Sequence, residues 1–349
     1  RLRRLQALML SVDQARAIML GACGRLGSEV VALEEALGRT LAIPILAARD
    51  APPFAVSAMD GYALAAADTP GRLRIAGESL AGRGFERALA SGEAVRISTG
   101  AAIPAGADCV LIQEEATVES GTLVAPQCRP GAHARSRGGD FSAGRTLLAV
   151  GRVLDAAAVG LIAASGASHL AVTRRPRLCI LPNGDELVRP GETPGPFQIF
   201  DAASYAIAAL SRAWGAEAVI SAPLADAPDA IADAARPLLG QCDVLVVIGG
   251  ASVGAHDHAR SAPAQLGYTE HFGKIAVRPG KPTWFATGPG ALLVGLPGNP
   301  ASALVCARLF LAPMIEAMLS GNADATLATV SAKLAAPFPA NGAREHYLR

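Results

Sequence analysis

The sequence predicts a multi-domain protein of the α/β plus β class: a three-layer α/β domain, an inserted β-rich domain and a discontinuous helical N-terminal domain. Three observations carry this. The chain has 349 residues, 51% of them hydrophobic, which is more than one compact core needs. Short apolar runs between Gly-rich turns interrupt an otherwise helical opening. From about Arg175 an apolar strand followed by an amphipathic helix becomes the repeating unit.

Ser11 and Gln14 form a capping-box signature, and Val12, Ala15, Ile18 and Met19 follow at helical spacing, so a first helix is expected to about Cys23. A second is expected from Val30 through Leu33 and Ala36 to Leu37, closed by Gly38. Pro52-Pro53 ends this opening. Strands are then expected at Arg72 to Ala76, Ala94 to Ser98, Asp108 to Gln113, Ala116 to Glu119 and Thr122 to Ala125, the last two joined at Ser120-Gly121. Leu154 to Ile162 regains a helical pattern. Residues 51–140 are therefore read as a β-rich insert, and 1–50 with 141–174 as the discontinuous helical and linker domain.

Residues 175–320 are read as the α/β domain. Strands are expected at Arg177 to Leu181, Ala218 to Ser221 and Asp243 to Ile248, and helices at Ala202 to Trp214 and Pro228 to Leu239. The near-continuous apolar run Asp243 to Ile248 suits a parallel strand covered on both faces. A hairpin-like pair, Thr283 to Ala286 and Ala291 to Gly295, precedes a helix from Pro300 to about Ser320, with Asn299 as its N-cap and a kink expected at Pro313.

Composition narrows the function. With 31 basic and 30 acidic residues the net charge is +1, and charged residues make up 17%, which argues against a nucleic-acid surface. Mean hydropathy is +0.33, yet the most apolar long stretch read from the sequence, Ala156 to Ser168, is shorter than the roughly 20 residues of a membrane span. No membrane segment or secretion signal is expected. The six cysteines are scattered without a Cys-x-x-Cys pair and read as small core residues of a cytoplasmic protein.

The motifs cluster at expected strand ends. Gly249-Gly250-Ala251-Ser252-Val253-Gly254 follows the strand Asp243 to Ile248, where glycines let backbone N–H groups approach an anion and Ser252 adds a hydroxyl. It is neither a dinucleotide-binding nor a Walker A motif. In His256-Asp257-His258 the two histidines do not share a helix face, so Asp257 is the candidate ligand. Asp185-Glu186 and Asp226 follow two other strands; with Asp257 they could meet at the carboxyl rim of the sheet as Mg²⁺ ligands, although Asp226 could equally cap the next helix. Lys274, Arg278 and Lys281, the last two within Arg278-Pro279-Gly280-Lys281-Pro282, form a candidate oxyanion loop. Pro297-Gly298-Asn299-Pro300 leads into a helix N-terminus with Ser302 on its first turn, a second anion site. Ser57-Ala58-Met59-Asp60-Gly61-Tyr62-Ala63 reads as a turn bearing a carboxylate. Thr99-Gly100-Ala101, running on to Asp108, reads as a loop between strands.

In order, Pro53-Phe54 with Ser57 to Ala63, Arg96-Ile97-Ser98-Thr99-Gly100-Ala101 with Gly106-Ala107-Asp108, Gly184-Asp185-Glu186-Leu187, Gly249 to Gly254 with Asp257, Arg278 to Pro282, and Leu296-Pro297-Gly298-Asn299-Pro300 resemble the MoeA family of molybdopterin molybdenumtransferases, which includes the E-domain of gephyrin. The resemblance spans nearly the whole chain. It makes residues 175–320 a molybdopterin-binding domain and implies a homodimer that takes adenylated molybdopterin and molybdate, transfers molybdenum to the dithiolene sulfurs and releases AMP with Mg²⁺. Asp60 and Thr99 of one subunit are then expected to join Glu186, Asp226 and Asp257 of the other as catalytic residues. Asp185, Glu186 and Asp257 are the expected metal ligands. Gly249, Gly250, Ser252, Gly254, Lys274, Arg278, Lys281, Pro297, Gly298, Asn299, Pro300 and Ser302 are expected to bind the cofactor and its phosphate. Enzymes that supply molybdopterin and molybdoenzymes that receive the product are the implied partners.

The sequence departs from the family pattern at Ala55-Val56, usually Asp-Asn; at Asn183, usually Thr or Ser; at Asp201-Ala202-Ala203-Ser204, which lacks an Asn; and at Arg278, commonly Lys. Family members continue into a small β-domain, so residues 321–349 are expected to be its truncated start. Two other functions fit the same motifs: molybdopterin adenylyltransferase, and a molybdopterin-binding scaffold without turnover.

Overall fold

The computed structural model describes residues 9–227, 229–250, 262–322, 324, 328–339 and 342–348. It opens with α1 (Val12–Gly21), where the Ser11 side chain accepts from the Gln14 N–H and the Gln14 side chain accepts from the Ser11 N–H. The second expected helix is not formed: the structure has β1 (Ser28–Ala32) followed by a 3₁₀ turn, Leu33–Glu35. Val30-Val31 is β-branched, and Val30 and Leu37, which would share the apolar face of a helix, are 71% and 64% exposed.

The β-rich region comprises β2 (Ile45–Leu46), β3 (Val56–Ser57), β4 (Gly61–Leu64), β5 (Gly71–Ser79), β6 (Glu93–Ile97), β7 (Cys109–Ile112), β8 (Thr117–Glu119), β9 (Thr122–Ala125), β10 (Ala134–Arg135) and β11 (Thr146–Leu148). The Ser120-Gly121 turn between β8 and β9 has positive φ at both residues, as a tight hairpin turn requires. α2 (Ala156–Ser165) follows, capped by Asp155 and closed by Gly166 in the left-handed conformation. β12 (His169–Thr173) then pairs with β1.

Next come β13 (Arg177–Pro182), β14 (Leu187–Val188), β15 (Ile199–Phe200), α3 (Ala203–Ala213), β16 (Glu217–Ile220), α4 (Ala230–Ala235), β17 (Val244–Ile248), α5 (Ala262–Gln265), β18 (Thr269–Phe272), β19 (Val277–Arg278), β20 (Trp284–Thr287) and β21 (Leu292–Leu296). Helix α4 is shorter than the expected Pro228 to Leu239. The last long helix runs as α6 (Pro300–Cys306), a π-helical turn (Ala307–Leu311) and α7 (Ala312–Ser320). Pro313 has no N–H to offer the carbonyl four residues back, and the widened turn just ahead of it accommodates the loss that the sequence reads as a kink. By length and composition Pro300–Ser320, not Ala156 to Ser168, is the helix that could cross a membrane, but 72% of its most apolar stretch is buried within the protein. Finally β22 (Glu345–His346) pairs in parallel with β19.

The chain forms two compact units. One, residues 44–149 with 155–169, holds a six-stranded sheet in the order β7-β4-β6-β5-β9-β8. Leu64, Leu73, Cys109, Leu111 and Leu123 pack on one side of it, and Ala63, Ile97 and Val110 on the other. The other unit, residues 1–43, 150–154 and 170–349, holds a six-stranded sheet in the order β16-β13-β17-β21-β20-β18. Strands β16, β13, β17 and β21 are parallel, β20 runs antiparallel to β21, and β18 runs antiparallel to β20. One core joins Leu178, Ile180, Val246 and Val294 to α1, α3, α6 and α7; a second joins Leu181, Leu245, Val247 and Leu293 to α4 and α5. Alternate residues of each strand thus feed opposite faces, which makes the three layers that the strand–helix alternation predicts.

Candidate functional site

Strand order places the site. From β13 the chain moves to β16 on one side and then crosses to β17 on the other, so the helices leaving β13 and β17 diverge between these two strands. Such a reversal opens a crevice at the carboxyl ends of the strands. The residues there are Asn183 to Glu186 after β13 and Gly249-Gly250 after β17, with Pro297 to Pro300 after the neighbouring β21.

Backbone bonds tie these turns together. The Asn183 N–H donates to the Ile248 carbonyl at 2.8 Å, and the Gly249 N–H donates to the Leu296 carbonyl at 3.1 Å. A Cβ on Gly249 would stand 2.3 Å from the Asn183 carbonyl oxygen, and φ there is +95°, so only glycine fits. A Cβ on Gly298 would in turn stand 3.3 Å from the Gly249 Cα. Three turns far apart in sequence therefore meet at backbone contact.

The acidic residues are linked through polar contacts. Asn183 Nδ2 donates to Asp226 Oδ1 at 3.3 Å, and the Asp226 N–H donates to Asp185 Oδ1 at 3.1 Å. Asp226 does not cap a helix: α4 begins at Ala230, and Asp226 is bound to the end of β13 instead. Glu186 is exposed, and its carboxylate lies over Gly184, where an added Cβ would meet Glu186 Oε2 at 2.4 Å. Among the described residues no group of three His, Cys, Asp or Glu side chains comes close enough to hold a metal. Asp185 and Glu186 do not form a cation site by themselves. Ser252, Gly254 and Asp257 lie outside the described residues.

The second anion site is a capped helix start. Asn299 Oδ1 accepts from the Ser302 N–H at 3.2 Å, and Pro300 occupies the first helical position. Ser302 Oγ also lies 3.4 Å from Asn299 Oδ1, so the hydroxyl serves the cap. Lys274, Arg278 and Lys281 lie on a segment folded against α6: the Ile275 N–H donates to the Lys281 carbonyl, and a Cβ on Gly280 would meet Cys306 Sγ at 2.2 Å. Among the described residues none of these three cations pairs with a carboxylate.

In the β-rich unit, Asp60 and Thr99 meet because β4 and β6 pair antiparallel with Gly61 opposite Ile97. The Thr99 N–H and hydroxyl both donate to Asp60 Oδ1, at 2.6 and 2.9 Å. These bonds, backbone first, with the nearby Arg96 charge, hold the Asp60 carboxyl below its ordinary pKa. Strand β4, where the Asp-Gly pair predicts a turn, is what aligns them. A Cβ on Gly61 would stand 2.0 Å from the Leu111 carbonyl oxygen, so the neighbouring strand closes over that position. Sequence reasoning also missed Asn183 as the hub of the acidic set. The one signal was an Asn between an apolar strand and a Gly-Asp-Glu turn.

Residues 10–166 match the family described as the MoeA N-terminal region (domain I and II), and residues 179–317 match a probable molybdopterin binding domain. A molybdopterin molybdenumtransferase of Nostoc sp. is 36% identical over 300 residues, 83% of this chain and 69% of the relative. One from Haemophilus influenzae is 35% identical over 319 residues, 90% of this chain and 78% of the relative. A crystal structure of a molybdopterin biosynthesis MoeA protein from Pyrococcus horikoshii superposes with a TM-score of 0.80 at 31% identity, covering 89% of this chain and 80% of that one.

Proposed function

The chain belongs to the MoeA family of molybdopterin molybdenumtransferases, and from that premise we propose that it inserts molybdenum into molybdopterin in the making of molybdenum cofactor. The observation that carries this reading is the meeting of Asn183, Asp185, Asp226, Gly249 and Gly298 at the switch point of a domain of molybdopterin-binding type. Adenylated molybdopterin and molybdate are the substrates, AMP is the leaving product, and the protein works in the cytoplasm.

The chemistry asks the chain to position anions and balance charge. Backbone N–H groups at Gly249-Gly250 and at the α6 start donate to the pterin's phosphate, and Lys274, Arg278 and Lys281 neutralise phosphate and molybdate. Asp226, fixed between Asn183 and Asp185, and the exposed Glu186 orient the reacting groups as catalytic residues. Asp60, ionised and held by Thr99, contributes a second fixed carboxylate, and we place it in an active site shared between the subunits of a homodimer. The dithiolene sulfurs are themselves the ligands that capture molybdenum, so no general base is assigned. Asp185, Glu186 and Asp257 are the residues that would hold a divalent cation such as Mg²⁺.

The test is AMP release from adenylated molybdopterin by the 349-residue chain with and without molybdate, followed by reconstitution of an apo-molybdoenzyme. Molybdate-dependent release with reconstitution is expected. Adenylation of molybdopterin from ATP, or binding without release, would replace this reading with adenylyltransferase or carrier. Sharing of the site is tested by mixing: Asp60→Asn and Asp226→Asn chains, each strongly impaired alone, should recover activity as mixed dimers.

A further inference from the structure

Asn183 is 3% exposed at the end of β13 and lines a cavity of about 50 Å³ together with Glu186, Asp201, Ile248, Gly298 and Pro300. Its Nδ2 is used by Asp226, but its Oδ1 is buried and, among the described residues, has no hydrogen-bond partner. Turning the amide round offers no relief. A carboxylate oxygen accepts and does not donate, so Nδ2 must face Asp226 and the carbonyl oxygen is left over. A buried acceptor with no donor is costly, and buried polar groups are nearly always satisfied.

The surrounding chemistry states what is missing. Asp201, also 3% exposed, accepts from the Ser204 N–H at the start of α3, and the Glu186 carboxylate is a further acceptor. Among the described residues, the polar side chains lining the cavity are thus rich in acceptors and, apart from the engaged Nδ2, offer no donor. Against these side chains a group carrying N–H donors is favoured over an anion, which the backbone N–H groups at Gly249-Gly250 and the α6 start hold instead.

We propose that Asn183 is a specificity-determining residue of this site: its Oδ1 accepts a hydrogen bond from the amino or ring N–H edge of the pterin, while the same amide holds Asp226 in position. This rests on the molybdopterin reading above and adds to it which end of the ligand enters the sheet. The pterin edge goes to the acceptor-lined cavity, and the anionic parts go toward Lys274, Arg278 and Lys281.

The experiment measures displacement of molybdopterin from the full chain by pterin-6-carboxylate and by lumazine-6-carboxylate, which has an oxo group in place of the 2-amino group. The wild-type chain is expected to prefer the pterin by about tenfold, the size of one donor–acceptor match in a buried site. Asn183→Ala should bring the preference to within about twofold while leaving the melting curve cooperative, and Asn183→Ser, which keeps an acceptor, should restore part of it. A wild-type chain that binds molybdopterin without discriminating, or an Asn183→Ala chain that keeps the full preference, overturns this inference and leaves the proposed function standing. A wild-type chain that does not bind molybdopterin overturns both.

Discussion

The two ends of the parallel sheet treat charge in opposite ways. At the amino ends, Arg174 before β13 makes two hydrogen bonds, of 2.6 and 2.7 Å, to Asp243 before β17, and the Arg177 N–H adds a third at 2.8 Å. Burial pushes the Asp243 carboxyl up, but the Arg174 and Arg177 bonds and charges outweigh it and hold the group below its ordinary pKa. At the carboxyl ends, among the described residues, Asp185 and Asp226 are bonded only to an amide side chain and a backbone N–H, and Asn183 keeps an unused acceptor. Charges that satisfy one another close a structure. Charges and polar atoms left without such partners are available to a ligand.

Substitution separates the two ends. Asp226→Ala at the carboxyl end should lower kcat/KM for AMP release by about 100-fold, the usual scale for a preorganised polar group, with the melting temperature within a few degrees of wild type. A fall of less than threefold would break the contrast. Arg174→Ala at the amino end should do the reverse. Leaving Asp243 without its charged partner should cost about 1–3 kcal/mol in urea unfolding, while turnover per folded molecule stays unchanged.

Acid sharpens the same distinction. Glu93 in the β-rich unit is held by Arg87 and Arg74, and the Arg87 hydrogen bond followed by the Ala90 N–H lowers its carboxyl to about 2 from 4.5. A carboxyl lowered on folding contributes stability that is complete above its unfolded pKa and is lost as pH falls through the folded one. Stability should therefore decline from about pH 4.5 down to about pH 2, and Glu93→Gln should flatten that stretch of the profile in denaturant titrations. Profiles that coincide would remove Glu93 from this role. The smallest effect is expected at the capping box, whose two hydrogen bonds join only Ser11 and Gln14: Ser11→Ala should cost about 1 kcal/mol in the same titration and leave pterin binding unaltered.

Much of this was legible in the residues, and the failures have physical causes. Val244–Ile248 could be read because all five side chains are buried, so the run is apolar throughout. Gly61–Leu64 could not, since it is short, begins at an Asp-Gly pair and owes its existence to β6 and β7, whose pairing no local pattern reveals. Residues 30 to 37 have a spacing that suits a helix, but their strand pairs with residues more than a hundred positions away. In the site, sequence placed Asp185, Glu186 and Gly249 at strand ends. It could not decide whether Asp226 caps a helix or joins that set, because the answer depends on the Asn183 contact across the sheet end.

The central claim, that the carboxyl end of the sheet is where the ligand binds, is tested most directly by amide hydrogen exchange with and without molybdopterin. Slower exchange at Asn183, Gly184, Asp226 and Gly249, with no change at Arg177 and Asp243, is the expected result. Protection at the amino end, or none at the carboxyl end when molybdopterin is bound, would contradict it.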